Sequence, residues 1–354
     1  MANVDQAFNG VALAIATQSG FGTVNATVKA LSGALVVGDG IVLGDKGSGD
    51  AESGITLPNM SAIYREVAQV TSSFTQSADF FLRELIEGLA ITFPLKGNGA
   101  DAGAPTAGLA IPDAGIVDIY GAAGLAGANG AGAPDYAFTP RATTEYATIH
   151  LWVGDLDFIL MDCLVDVMTL AFTPGDAPLV TANFKVGSVE SYNDGVTFPT
   201  FTWGTQSTFA PKSVEGVNFS AFGLTRGFED LTITITNAIE EFGDSNVATT
   251  GLRQSQTNRI ITVDGRLYAE TGQSDAEHTA LVNTSAPTVD LSFQIGTADV
   301  AGAETELEGV LINVNNLQAT EIKYDRTGEA LSVELSGAKA TSLTAGTEFL
   351  LEYN

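Results

Sequence analysis

RIITVDGRLYAE, residues Arg259 to Glu270, alternates apolar and polar positions as a half-buried strand does. SDAEHTALV follows from Ser274, and VDLSFQIG from Val289. The same order of events occurs earlier, as REVAQVTSSFTQ (Arg65 to Gln76), SADFFLRELIEG and then LAITFPLKG. In the earlier copy Ser77 is placed as a helix N-cap with Asp79 in the first turn. Leu82, Leu85, Ile86 and Leu89 then fall at helical spacing. In the later copy Ser274 and Glu277 stand in capping-box spacing. Strand, short helix and strand are therefore expected twice. A long polar loop precedes each unit: GDKGSGDAESGITLPNMS (Gly44 to Ser61) and EEFGDSNVATTGLRQSQ (Glu240 to Gln256).

Period-two alternation governs most of the remaining chain. LTITITN puts Leu231, Ile233 and Ile235 on one face and threonines on the other. TVDLSFQI, VLINVNN, TEIKYD and LSVELSG behave alike, as do YATIHLWV, VDVMTLAF and PLVTANFKV in the first half. Strands with one apolar face, separated by Gly, Asp and Asn turns, indicate antiparallel sandwiches or barrels. The expected organisation is an N-terminal arm and first strand over residues 1–36, then a β domain over 37–196. A connector over 197–217 leads to a second β domain over 218–354. The first domain carries a Gly/Ala-rich insertion, 98–135, expected as an irregular surface excursion with a helical turn near Leu109 to Ile116.

The chain has 354 residues, of which 45% are hydrophobic, enough to bury a sizeable core. Against 15 basic residues stand 42 acidic ones, a net charge of −27. A surface that grips nucleic acid needs Lys and Arg against phosphates, so that class is disfavoured. The charge suits a self-repelling soluble particle, a saline habitat, or a surface that touches DNA without holding it. The start, MANVDQAFNG, lacks the basic and apolar regions of a secretory signal. No charge-free apolar run outside the Gly/Ala segment has the roughly 18 residues that a membrane helix needs.

Catalytic motifs are sparse. Cys163, in DFILMDCLVDV, reads as a buried strand thiol, and with a single cysteine no internal disulfide can form. His150 and His278 have no nearby Cys or His at metal spacing. GAAGLAGANGAG lacks the Lys-Ser/Thr pair of a phosphate loop. Asp155 and Asp157 in GDLDF, and Asp50 and Glu52 in SGDAES, are paired carboxylates able in principle to bind Ca²⁺ or exchange protons. With 42 acidic residues such pairs also arise by chance, and they read as solvated. No enzyme activity and no cofactor are expected.

Several segments together resemble siphophage tail tube proteins. GVALAIATQSGFGTVNA is similar to that family's N-terminal arm, with its aromatic-Gly-Thr turn. FPLKGNGADAGAP is similar to its Gly-rich run after a tube strand, GDAPLVTANFKVGSV to its hairpin, and FEDLTITITNAIEEFGD to a later barrel strand and loop. The insertion between Gly115 and Asp135 departs from the pattern. The resemblance implies two tandem tube-type β-barrel or sandwich domains, each with a flanking helix. Three chains would then form a ring with pseudo-sixfold symmetry, or six chains a ring of their own. Rings would stack into a virion tail tube, assembled in the host cytoplasm, with tape-measure, tail-terminator and baseplate proteins as partners and no membrane. DNA would pass through an acidic lumen without tight binding. Candidate lumen carboxylates are Glu84, Glu87 and Asp290. Candidate inter-ring positions are Gly44, Asp45, Asp50, Glu52, Glu240, Glu241, Asp244 and Asn246. Two other classes remain open: an acidic virion-surface or extracellular β-sandwich for adhesion or capsid decoration, and a Ca²⁺-dependent carbohydrate-binding sandwich.

Overall fold

The computed structural model describes residues 11–24, 29–30, 35–37, 42–43, 76–82, 86–95, 114–129, 136–142, 145–153, 156–176, 178–194, 220–221, 224–225, 227–243, 252–268, 289–296, 309–318, 321–327, 330–340 and 347–353. The described chain is mainly β. The first strands are β1 (Val11–Thr17), β2 (Lys29–Ala30), β3 (Leu35–Val37), β4 (Val42–Leu43), β5 (Gln76–Leu82) and β6 (Ile86–Pro94). A helix, α1 (Ala114–Ala122), precedes β7 (Leu125–Asn129), β8 (Tyr136–Pro140), β9 (Ala147–Val153) and β10 (Leu156–Phe172). Then come β11 (Leu179–Lys185), β12 (Ser188–Asp194), β13 (Ser220–Ala221), β14 (Leu224–Thr225), β15 (Phe228–Gly243) and β16 (Leu252–Tyr268). The chain closes with β17 (Val289–Gly296), β18 (Gly309–Gln318), β19 (Glu321–Thr327), β20 (Ala330–Ala340) and β21 (Phe349–Tyr353).

The strands form two sheets, one of them curled like half a barrel. β10 belongs to both. Its first half pairs with β9 and β12, and β9 continues to β1 and β2. Its second half pairs with β11 and β15. From there the larger sheet runs in the order β5-β6-β11-β10-β15-β16-β20-β19, with every adjacent pair antiparallel. At the far end of β20, β18 joins and carries β17, β13 and β14 on one side and β21, β8 and β7 on the other.

Alternation decides which side of each strand is covered. Leu231, Ile233 and Ile235 of β15 are fully buried, while the intervening threonines are partly exposed. Leu291, Phe293 and Ile295 of β17 follow the same rule. One apolar cluster runs from Ile15 to Tyr353 and includes residues of both halves of the chain. The halves are therefore not separately packed: they share one core and one sheet. At about 1.5–3 kcal/mol per fully buried large apolar side chain, this common core outweighs any single polar contact.

Three local expectations are corrected. The segment from Ser77, read as a helix, is the β5–β6 hairpin, with Ser77 opposite Thr92 and Phe80 opposite Leu89. Its helical periodicity spans barely two turns, and adjacent phenylalanines favour a pleated surface. The strand-helix-strand order fails with it in the first copy. The Gly/Ala-rich insertion is not a surface excursion at its C-terminal end. There α1 starts later than the expected turn, and Ile119, Tyr120, Ala122, Ala123 and Leu125 are all buried. The strand expected over 65–75, the helix from Ser274, His278 and the connector 197–217 lie outside the described residues.

α1 has nine residues, too few to be stable alone. Packing holds it. Gly124 terminates it with φ +77°, donating its N–H to the Gly121 carbonyl at 3.0 Å. At its middle, Asp118 accepts a hydrogen bond from the Thr17 hydroxyl of β1 at 2.8 Å. Tyr120 inserts among Phe93, Phe138 and Tyr353, with ring centroids 6.1 Å from Phe93 and 4.6 Å from Phe138. The Tyr120 and Tyr353 hydroxyls hydrogen-bond to each other at 2.9 Å. Burial raises the pKa of both phenols. Either hydroxyl alone would be a buried polar group without a partner. We expect Tyr353→Phe to cost about 1–3 kcal/mol of unfolding free energy, and Tyr120→Phe/Tyr353→Phe to cost less than the sum of the two single changes. Chemical denaturation of the four proteins measures this, and additive losses would contradict the coupling.

Candidate assembly interface

The eight-strand sheet is built twice from the same plan. In the first half, hairpin β5–β6 and hairpin β10–β11 lie side by side with β6 against β11. In the second half, hairpin β15–β16 and hairpin β19–β20 lie side by side with β16 against β20. The spatial order is first strand, second, fourth, third in both. This repeat differs from the one the sequence suggests, since it pairs β5–β6 with β15–β16. It is a repeat of hydrogen-bonded order, which sequence periodicity does not reveal.

The units meet where β10, the third strand of the first, pairs with β15, the first strand of the second. Six residue pairs make the joint, from Val167 opposite Thr236 to Phe172 opposite Leu231. On its core side Met168 faces Ile235 and Leu170 faces Ile233, all fully buried. The same two edges recur at the ends of the sheet. β19, the third strand of the second unit, pairs with β20 alone among the described residues. Tyr324 of β19 shares a register row with Val333 and Leu267, which are 0% exposed, yet is itself 45% exposed. β5, the first strand of the first unit, is met on its outer side among the described residues by β3 and β4, in parallel pairings.

The face opposite the core is rich in hydroxyls and carries charges of both signs. Thr92, Thr181, Thr169, Thr234 and Thr262 stand in one row across five strands. The Thr92 and Thr181 hydroxyls are 2.9 Å apart. A second row alternates in sign across β15, β16, β20 and β19: Asp230, Arg266, Glu334 and Lys323. Arg266 pairs with Glu229 at 3.3 Å and Lys323 with Glu334 at 3.3 Å. Such exposed pairs contribute roughly 0–1 kcal/mol each, so they set register more than they add stability.

Of the candidate lumen carboxylates, Glu87 and Asp290 lie in described strands. Glu87 is the extra residue of a bulge in β6, between Ile86 and Gly88, and Asp290 occupies a similar irregularity in β17. β6 belongs to the eight-strand sheet and β17 to the branch beyond β18, so the two are not brought together. Glu84 lies outside the described residues, as do Gly44, Asp45, Asp50, Glu52, Asp155, Asp244 and Asn246. Glu240 and Glu241 are not in a loop. They are exposed residues of β15, opposite Ser255 and Gln254, because the β15–β16 ladder continues to Gly243 and Leu252. Cys163 is a buried thiol, and burial raises its pKa. His150 lies in β9 opposite Ala14 and Ile159. Among the described residues no three His, Cys, Asp or Glu side chains converge to hold a metal.

The corner of β10 is the point that fixes the joint's geometry. Asp162 adopts φ 55° there, at the register shift where the strand passes from one sheet to the other. Its carboxylate accepts the Gly22 N–H at 2.8 Å, and its own N–H donates to the Gln18 side-chain oxygen at 2.9 Å. Gly187 packs so closely that a Cβ would lie 2.7 Å from that of Asp162, which requires glycine. The turn after β1 is thereby fastened to β10. Phe21 of that turn lies under the Arg253 guanidinium at 5.0 Å and edge-on to Tyr146 at 5.3 Å, tying the corner to the protruding β15–β16 hairpin. The apolar stretch of the N-terminus, expected as an arm, is strand β1, paired along its length with β9.

The sequence matches no family model and no curated protein.

Burial raises the Asp162 carboxyl pKa, outweighing the hydrogen bonds from Gly22 and Gln18 and the attraction of Arg253. A carboxyl whose folded pKa is raised favours the native state most when protonated. Its contribution is present below the unfolded pKa and lost as pH rises through the folded value. Asp162→Asn keeps an acceptor and tolerates positive φ. We expect it to be more thermostable than the parent at about pH 7, with the difference vanishing towards about pH 3.5. Parallel melting curves measure it, and a difference independent of pH would contradict the role of ionisation.

Proposed function

We propose that the chain is a structural protein of the siphophage tail tube, polymerising into stacked rings that conduct the genome. The observation that carries this reading is the repeated four-strand unit joined edge to edge through β10 and β15. That joint supplies a pattern for joining one chain to the next. The strands alternate in direction from β5 through β19, so β19 of one chain would meet β5 of another antiparallel, as β10 meets β15. Eight strands from each of three chains would close a barrel of 24 with no free edge. At about 4.8 Å between strands its circumference exceeds roughly 115 Å and its diameter roughly 35 Å. Such a bore passes a DNA duplex.

In this arrangement the threonine face lines the bore and the common core lies outside it. The wall that DNA meets is then hydroxyl-rich, and its cations Arg266 and Lys323 are paired with Glu229 and Glu334. Phosphates find few unpaired cations, so nothing retains the genome. The role is mechanical and needs no catalytic group. Tape-measure, terminator and baseplate proteins would contact the ring's two rims.

Native mass measurement and electron microscopy of the purified protein test the proposal. Three-chain rings or tubes are expected, with negligible duplex retention at low salt. Thr234→Lys in assembled tubes should introduce salt-sensitive retention. A stable monomer under all assembly conditions would favour an adhesion or decoration protein instead.

A further inference from the structure

On its outer side β5 is met by a strap made of β3 and β4. Leu35, Val36 and Val37 stand opposite Gln76, Ser77 and Ala78, and Val42 and Leu43 opposite Phe81 and Leu82. These are the sole parallel pairings among the described strands. Parallel ladders are somewhat weaker per residue. Among the described residues this one leaves Asp79 and Phe80 without a partner on that side. Every other joint of the eight-strand sheet is antiparallel and longer. The strap thus sits, in the parallel sense, on the edge that corresponds to the β15 side of the internal joint.

We propose that the strap is a self-cap, and that β19 of a second copy replaces it on β5 with Lys323 opposite Asp79. This rests on the ring reading above and names the contacts by which the ring closes. Charge selects the register. The row Asp230, Arg266, Glu334, Lys323 alternates in sign and ends on a cation at the open edge. Asp79, opposite Ala90 in β5, continues the alternation with an anion. Complementary charges suppress other registers more than they add affinity. The same register sets Ile322 opposite Phe80 and Tyr324 opposite Ala78, which repeats the apolar row of Met168 and Leu170 against Ile235 and Ile233. The half-exposed Tyr324 would then be covered. In the unassembled chain the strap shields an edge that would otherwise pair indiscriminately. Assembly becomes an exchange of a weak internal ladder for a stronger one between copies.

The test is a cysteine pair, Asp79→Cys with Lys323→Cys, in the full chain. Directly opposed antiparallel residues lie about 4.5–5.5 Å apart at Cα, within disulfide reach. Cys163 is buried and does not compete. Oxidised rings are expected to give covalent trimers on a denaturing gel, and Ser77→Cys with Lys323→Cys far fewer. Rings that form without preferential cross-linking of the 79–323 pair would overturn this inference and leave the ring reading standing. Absence of rings from the unsubstituted protein would overturn both. Val36→Pro with Val42→Pro removes two strap N–H groups and should speed ring formation several-fold with the ring mass unchanged. An unchanged or slower rate would sink the self-cap.

Discussion

The architecture depends on β10 serving two sheets. Its 17 residues pair with β9 and β12 at one end and with β11 and β15 at the other. Without the bend at Asp162, the sheet holding β1 and β9 would be detached from the eight-strand sheet. The β10–β15 ladder joins the two halves in one sheet, and the β8–β21 pairing joins them a second time. A backbone ladder is a demanding joint, because each unpaired N–H or carbonyl left in a buried edge has a cost of its own. Side chains on both its faces then inherit fixed positions: Leu170 and Ile233 in the core, and Thr169 and Thr234 on the opposite surface.

Seen from that ladder, the exposed features of the molecule share one explanation. Tyr324 projects from the core side of an edge strand, where its row neighbours Val333 and Leu267 are buried. The charged row stops at Lys323 instead of closing on an anion. Among the described residues β5 carries a parallel strap where its counterpart β15 carries β10. Each is what a sheet looks like when a repeated unit lacks its next neighbour. Under the proposed assembly, the net charge of −27 would oppose indiscriminate association and leave joining to a specific edge.

Much of the fold was legible in the sequence because strand alternation is local. LTITITN and TVDLSFQI announce their buried faces unaided, and Leu231 and Phe293 occupy them. The errors came where local pattern and tertiary pairing compete. SADFFL satisfies a helix over a turn and a half, but the ladder with β6 decides it. The Gly/Ala-rich stretch looked like surface, yet a small-residue helix fits against a sheet where a bulkier one would not, and Tyr120 finds its partner 233 residues away at Tyr353. EEFG and LRQSQ looked like loop because they are mostly polar, but the β15–β16 ladder continues through them and buries Gln254. The threonine row and the alternating charges were invisible for a different reason. They are properties of register across strands far apart in sequence, which no window along the chain contains.

Hydrogen exchange on the free and the assembled protein tests the central claim most directly. β10 and β15 amides should be protected in both forms, since their ladder is internal. The amides of β19 that point away from β20, and those on the outer side of β5, should exchange readily in the free chain. Assembly should protect them to the level of the β10–β15 joint. If particles assemble while β19 exchanges as fast as before, the sheet does not continue from chain to chain and the account fails.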